Sequence, residues 1–247
     1  MVARRVSNRQ NPDRRLQETR GLVNVDFFRR WTPDMAYVLG YFAADGCAVR
    51  NQRGSHYLRF DSVDRRHLET VRELLGSRHA ISLKACSQPT WQPCYQLQIG
   101  SRRIFLDLER LGFSCRKERR MRLPAIPRAF LADFVRGYFD GDGCVSHGSY
   151  RRLRRPSQAK VLLVRFTSAS AKFLAALRRA LADQAGLGSG SLVQYGTYAC
   201  LSYGIQDSVR LFRFMYGGPE GPRQPYLDRK YVAYRTGVQS ILQGVVV

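Results

Sequence analysis

One short pattern occurs twice in this chain and constrains everything that can be built from it. Residues 37–47 read YVLGYFAADGC and residues 134–144 read FVRGYFDGDGC. Gly-Tyr-Phe, two further residues, then Asp-Gly-Cys recur in the same order at the same spacing. Each copy is an apolar segment of helical length that ends on a carboxylate and a glycine. The first has a clear start, with Thr32 as N-cap and Pro33 at the first helical position. At its end, Gly46 after Asp45 is free to take the left-handed cap conformation. The second copy is preceded by Pro124 and Pro127 and ends at Asp142-Gly143.

The repetition continues past the motifs. Residues 56–76 alternate through Leu58 and Phe60, then take helical spacing through Leu68, Val71, Leu74 and Leu75. Residues 162–186 do the same through Val164 and Phe166, then Phe173, Leu174, Leu177 and Leu181. Arg59-Phe60 and Ser62 correspond to Arg165-Phe166 and Ser168. A second strand-to-helix passage follows in each copy, over 94–112 and 200–218, with Ile99 aligned on Ile205. The chain therefore reads as a basic N-terminal arm (1–30) and two repeats (31–122 and 123–247). Each repeat runs helix–strand–strand–helix–strand–strand–helix, an α+β unit with an antiparallel sheet on one side.

Small residues suggest how the repeats meet. Gly40 and Ala44 lie four apart on one helix face, as do Gly137 and Gly141. Faces this small let two helix backbones approach closely. Packing them together makes two lobes about a pseudo-twofold axis and sets Asp45 beside Asp142. Two adjacent carboxylates repel and call for a cation; a hard divalent ion such as Mg²⁺ takes oxygen ligands. Held between basic lobes, such a pair suits phosphodiester hydrolysis, and the twofold suits the antiparallel strands of a duplex.

The charge balance agrees. Lys plus Arg number 41 against 19 Asp plus Glu, a net charge of +22, which points to a polyanionic partner. Six cysteines lack any C-x-x-C spacing and four histidines form no ligand cluster with them. Structural zinc is not expected on that pattern, and the thiols are expected to be reduced and mostly buried. No apolar run reaches membrane-spanning length, and the Arg-rich N-terminal residues lack the apolar core of a signal peptide. The expected location is intracellular, with DNA, in a bacterial cytoplasm or an organelle matrix.

VLGYFAADG (38–46) and VRGYFDGDG (135–143) resemble the LAGLIDADG motif of the homing endonucleases. The surrounding repeats resemble that family's αββαββα unit, duplicated as in its monomeric, two-motif members. The resemblance implies two pseudo-symmetric lobes, each with a saddle-shaped antiparallel sheet for DNA, joined by the packed motif helices. It implies a monomeric, intron-encoded enzyme that hydrolyses both strands of a long asymmetric duplex target across the minor groove and leaves short 3′ overhangs. Mg²⁺ would serve, with Mn²⁺ substituting and Ca²⁺ binding without supporting cleavage. Asp45 and Asp142 would ligate the metal, with the carbonyls of Ala44 and Gly141 completing its shell. The earlier acidic position of the motif is Ala43 in one copy and Asp140 in the other, and is not a ligand. A polar residue after the second-strand aromatic is Asp61 in copy one and Thr167 in copy two. The family's fourth-strand Lys falls on Gln98 and Gly204, so a central Lys is missing from its usual place. Asp61 and Gln98 are the remaining catalytic candidates. Family members also include RNA maturases acting on their own intron, and a DNA-binding regulator without catalysis is a further alternative.

Alternation selects a nucleic-acid face. With Leu58, Phe60, Val164 and Phe166 turned inward, Arg59, Asp61, Arg165 and Thr167 turn outward, and so do Gln96 and Gln98. Arg50, Gln52, Arg53, Lys84, Gln88 and Gln92 fall on or near hairpin tips of lobe one. Arg151, Arg152, Arg154, Arg155, Lys160, Gln194 and Tyr198 are their counterparts in lobe two. Arg and Gln suit bidentate contacts with guanine and adenine edges, and others neutralise phosphate. The basic cluster over 116–122 links the repeats and reads equally as a phosphate contact or a solvated linker.

Overall fold

The computed structural model describes residues 22–84, 92–115, 120–151, 158–217 and 221–243. Element order follows the repeat. In lobe one, α1 (Pro33–Asp45) leads into β1 (Gly46–Arg50), β2 (His56–Ser62), α2 (Arg65–Leu74), β3 (Ile81–Lys84), β4 (Cys94–Gly100) and α3 (Arg102–Arg110). In lobe two, α4 (Leu131–Asp142) leads into β5 (Gly143–Arg151), β6 (Gln158–Ser168), α5 (Ala171–Ala185), β7 (Ser191–Tyr195), β8 (Tyr198–Tyr203) and α6 (Ile205–Tyr216). A further helix, α7 (Asp228–Gln243), lies outside the sequence-level repeat. Its signal was present: Leu227, Tyr231, Tyr234, Val238 and Ile241 recur at helical spacing and are all buried.

Thr32 caps α1 as its sequence predicts, and three further helices start on side-chain caps. Thr32 Oγ1 accepts from the Met35 amide at 3.1 Å, and Asp64, Ser101 and Ser170 cap α2, α3 and α5 in the same way.

Both sheets are antiparallel, in the orders β1-β2-β4-β3 and β5-β6-β8-β7. Phe60 lies opposite Gly46 and Leu97, and Phe166 opposite Gly143 and Leu201. This pairing corrects one alignment. The counterpart of Ile99 is Tyr203, not Ile205, and the counterpart of Gln98 is Ser202; Gly204 is off the strand, at the N-cap of α6. A shift of two keeps the alternation, so parity alone does not reveal it; the strand ends at Tyr203, and Ile205 is already the first residue of α6.

The two lobes meet along α1 and α4. A Cβ on Gly40 would stand 2.0 Å from the Phe134 carbonyl oxygen, and one on Gly137 would stand 2.0 Å from that of Tyr37. The contact is reciprocal, as a twofold requires. The remainder of Gly-Tyr-Phe packs inward. Tyr41 and Phe42 flank the Phe60 ring, and Tyr138 and Phe139 flank Phe166, with ring centroids 5.7–6.2 Å apart.

Two sequence expectations change. Gly46 and Gly143 take extended conformations, φ −78° and −81°, and open the next strand directly instead of forming a left-handed cap. Glycine is needed there for space: a Cβ would lie 2.0 Å from the Phe42 ring or 2.2 Å from the Phe139 ring. The cysteines, expected to be mostly buried, are not: none of the five described ones is buried. Strand register puts Cys47, Cys94, Cys144 and Cys200 on the face away from the helices.

Candidate active site and nucleic-acid face

Asp45 and Asp142 are the last residues of the paired helices, and the helix ends press on each other. A Cβ added to Gly141 would come within 2.3 Å of Ala44 Cβ and 3.3 Å of a carboxylate oxygen of Asp45. The small residues thus bring the two acidic helix ends together. Each carboxylate extends a helix C-terminus, which already carries partial negative charge, so the locus is strongly electronegative.

The cation that answers this field comes from α7. Lys230 Nζ donates to the carbonyls of Phe139 (2.9 Å), Gly141 (2.6 Å) and Gly143 (2.7 Å). Burial pulls its pKa below the usual lysine value, and the charges of Asp140, Asp45 and Asp142 oppose that pull. A basic residue therefore stands at the centre, reached from the C-terminal helix instead of the fourth strand. The Gly141 carbonyl, expected as a metal ligand, accepts from this ammonium; no such contact holds the Ala44 carbonyl among the hydrogen bonds described.

Asp140, the acidic position unique to the second motif, is a buried strut. It accepts from Tyr37 Oη of the opposite lobe (2.6 Å) and from the Leu227 amide at the entrance to α7 (2.9 Å). His67 Nε2 lies 3.4 Å from the same Tyr37 hydroxyl. Burial raises the Asp140 pKa to about 6 despite these donors, and burial lowers that of His67 to about 4. Arg136, fully buried on α4, donates to the carbonyls of Pro225, Met215 and Gln224 and pairs with Asp133 at 2.8 Å. Arg136, Asp140 and Lys230 together fasten α7 and the segment before it to the second motif helix.

Register settles the outward faces. In lobe one Arg59 pairs with Gln98 and Asp61 with Gln96, all turned away from the helices, and Lys84 shares that face. Asp61 accepts from Lys84 Nζ and Gln96 Nε2, each at 3.0 Å, with Arg59 Nε at 3.6 Å. Partial burial would raise its pKa, but the hydrogen bonds from Gln96 and Lys84 and the Arg59 charge hold it below the usual carboxylate value. In lobe two Arg165, Thr167 and Tyr198 face outward, and Arg165 Nη2 donates to Ser146 at 3.2 Å. Gln52, Arg53 and Gln92 are exposed on connections.

Four candidates fall elsewhere. Arg50 pairs with His56, whose ring packs on Phe105; Arg151 and Lys160 share the parity of buried Leu162; Gln194 pairs with buried Ala199. All four have the register of the helix-covered face. Lys160 donates to the Ser240 carbonyl of α7, and Gln194 donates to the Gly196 carbonyl within its turn. Gln88, Arg152, Arg154, Arg155 and much of the cluster over 116–122 lie outside the described residues, as does most of the N-terminal arm.

Among the described residues no group of three His, Cys, Asp or Glu side chains converges on a metal position. Two carboxylates and the helix-end carbonyls offer oxygen donors only, which fits a hard divalent ion that completes its shell with water and phosphate. No described helix is long and apolar enough to cross a membrane.

Two four-stranded sheets backed by helices and joined through a glycine-lined helix pair bearing two terminal carboxylates define a two-lobed protein of the LAGLIDADG type. The LAGLIDADG-like domain family matches residues 32–111 and 129–191, more than half of the chain, and the chain belongs to that family. No curated protein matches it. Among solved structures, it is similar to I-SmaMI bound to uncleaved DNA target in the presence of calcium ions (13% identity, TM-score 0.60, covering 87% of this chain and 92% of that one). It is similar also to the LAGLIDADG meganuclease I-AabMI bound to uncleaved DNA (12%, 0.59, 87% and 92%). A third likeness is to the I-LtrWI homing endonuclease bound to target DNA (11%, 0.58, 89% and 92%). At these identities the likeness is one of fold.

Proposed function

We propose that this chain is a single-chain, divalent-metal-dependent homing endonuclease that hydrolyses both strands of a long asymmetric DNA duplex. The observation that carries this reading is the joint end of α1 and α4, where Asp45 meets the tip of α4 beside Asp142 and Lys230. Both carboxylates would hold the metal, with Mg²⁺ the natural choice and Mn²⁺ a substitute. When bound, a divalent ion activates water and neutralises charge developing on the phosphate. Asp45 and Asp142 belong one to each lobe, so each strand of a duplex centred on the axis meets one of them.

Lys230 supplies a fixed positive charge at the same point. Its three carbonyl partners hold the ammonium in place, so it needs no reorganisation when charge builds on a scissile phosphate. Arg59 and Gln98 in lobe one and Arg165 and Ser202 in lobe two are the equivalent cross-strand pairs on the outward faces. The lobe-one network of Arg59, Asp61, Lys84, Gln96 and Gln98 reads base edges, and the exposed Gln52, Arg53 and Gln92 extend that contact. Arg165 and Thr167 begin the corresponding surface of lobe two. The excess of basic residues neutralises backbone phosphate along the site.

The test is to select duplexes from a randomised library with the full chain and Ca²⁺, then incubate them with Mg²⁺ or EDTA. Cleavage of both strands with Mg²⁺ and none with EDTA is expected. Asp45→Asn and Asp142→Asn should each abolish cleavage while leaving duplex affinity within a few-fold. Full cleavage by the Asp142→Asn variant would overturn the mechanism.

A further inference from the structure

The outward faces of the two sheets are equivalent by symmetry and differ in chemistry, with Val49 and Tyr57 also on the face of lobe one and Ser146, Ser191 and Ser202 also on that of lobe two. Lobe one presents Arg59, Asp61, Lys84, Gln96 and Gln98, a hydrogen-bonding surface organised around the Asp61 carboxylate. Lobe two presents Tyr150, Val161, Leu163, Val193, Tyr195 and Tyr198 on the corresponding strands. Arg165 is the one charged side chain on that face among the described residues. Tyr150, Val193, Tyr195 and Tyr198 are 53%, 40%, 52% and 46% exposed. Tyr195 and Tyr198 lie directly opposite each other at the hairpin end, rings stacked at 5.6 Å.

No described helix covers this surface, because α5, α6 and α7 pack on the other side of the sheet, against Leu162, Val164, Leu201 and Tyr203. One face of an antiparallel sheet left to water is ordinarily polar. Register sets these side chains in two groups, Tyr150, Val161 and Leu163 towards the β5–β6 hairpin and Val193, Tyr195 and Tyr198 towards the β7–β8 hairpin, with the row Cys144, Arg165, Ser202 and Ser191 between them. Exposed apolar groups of this kind mark a contact surface. The face is continuous with Arg165 and Thr167 and is the symmetry mate of the polar face of lobe one, so its occupant is the same molecule. In the major groove of a duplex one apolar group is on offer, the C5 methyl of thymine. Val and Leu side chains over a G·C pair would instead strip water from its donors and acceptors without replacing the hydrogen bonds.

We infer that the two lobes read their half-sites by different chemistry: lobe two by apolar contact with thymine methyls, lobe one by hydrogen bonds to base edges. The target is then asymmetric in composition, with an A·T-rich half under lobe two. The aromatic pair at the hairpin end caps this surface, and Thr167 shares a cross-strand row with Cys200 and Val193. The inference rests on the DNA-binding reading above.

The test uses duplexes selected by the full chain with Ca²⁺. One half-site should be enriched in A·T pairs. Replacing each of its thymines by deoxyuridine, which removes only the methyl, should weaken binding about threefold or more per base. The same replacement in the other half should have no effect. Leu163→Ser and Val193→Ser, both on a solvent face, should reduce the difference between thymine and uracil, which assigns the methyl-sensitive half to lobe two. Tight binding with no deoxyuridine effect in either half overturns the inference and leaves the endonuclease reading standing. Failure of the native chain to bind any duplex overturns both. Self-association in solution that Val193→Ser abolishes assigns the face to a second copy of the chain and overturns the inference as well.

Discussion

The ammonium of Lys230 donates to the carbonyl of Gly141 at 2.6 Å, one residue before the terminal carboxylate of the second motif helix. With Phe139 and Gly143 it completes a cage of three carbonyls around one positive charge. Removing that charge in Lys230→Met leaves three helix-end oxygens without their donor and the two carboxylates without their fixed counter-charge. Single-turnover cleavage should fall about a hundredfold, the scale seen when one preorganised electrostatic group is lost. Duplex affinity should change little, and urea denaturation should show a loss of about 1–3 kcal/mol.

The glycines of the lobe interface make a sharper stability test. Gly40→Ala drives a methyl carbon against the Phe134 carbonyl of the opposite lobe, a backbone atom with no rotamer by which to move aside. The variant should lose about 3 kcal/mol or more, since overpacking against backbone is the costly kind. Gly148→Ala, where nothing lies within 4 Å of the new Cβ, should stay within about 0.5 kcal/mol of the native chain. Equal melting of the two variants would contradict the packing described for α1 and α4.

The buried His67, Tyr37 and Asp140 contacts give stability a pH signature with two opposed parts. Burial lowers His67 to about 4, below its unfolded value of 6.5, so its contribution is present above pH 6.5 and is lost as pH falls towards 4. Burial raises Asp140 from 3.8 to about 6, so its contribution is present below pH 4 and is lost as pH rises through 6. Between pH 4 and 6.5 the two slopes oppose each other. Relative to the native chain, His67→Gln should gain stability on acidification across this window, and Asp140→Asn should lose it. Each difference is on the order of a few kcal/mol, measured by denaturant midpoints at pH 4.5 and 7.

Arg136 is the fastening of the C-terminal helix. Arg136→Met leaves Asp133 as a buried, unpaired carboxylate and frees the Met215 carbonyl on α6 and the Gln224 and Pro225 carbonyls on the segment leading into the helix of Lys230. The expected loss is about 3–5 kcal/mol by urea denaturation. Hydrogen exchange of α7 amides should accelerate more than that of α1, because the anchoring carbonyls of Met215, Gln224 and Pro225 precede α7.

Much of the fold could be read directly. The duplicated motif, its caps and its alternating strands specify two similar units, and Gly40 and Gly137 specify how their helices meet. The carboxylates Asp45 and Asp142 follow from the same spacing. Three things did not follow. The end of the last strand of lobe two is not legible, because Ile205 is as apolar as Ile99 and composition does not distinguish a strand end from a helix start, so the alignment runs two residues too far. Lys160, Arg50, Arg151 and Gln194 read as DNA-contact candidates near hairpin tips, and their side of the sheet follows only from strand pairing, which gives them the parity of the helix-covered face. Lys230 carries no signal of its own in the sequence, although the spacing of Leu227, Tyr231, Tyr234, Val238 and Ile241 marks its helix.

The amino-acid sequence by itself determined the repeat, the element order and the two acidic helix ends, because these depend on local periodicity and on residues close together along the chain. Only the tertiary structure decided that Lys230 reaches the Gly141 carbonyl across 89 positions and that Asp140 bonds Tyr37 across 103. It also separated the polar face of lobe one from the apolar face of lobe two, through strand register. Such contacts are set by how whole elements pack, and no local pattern encodes where a side chain on one helix meets the backbone end of another.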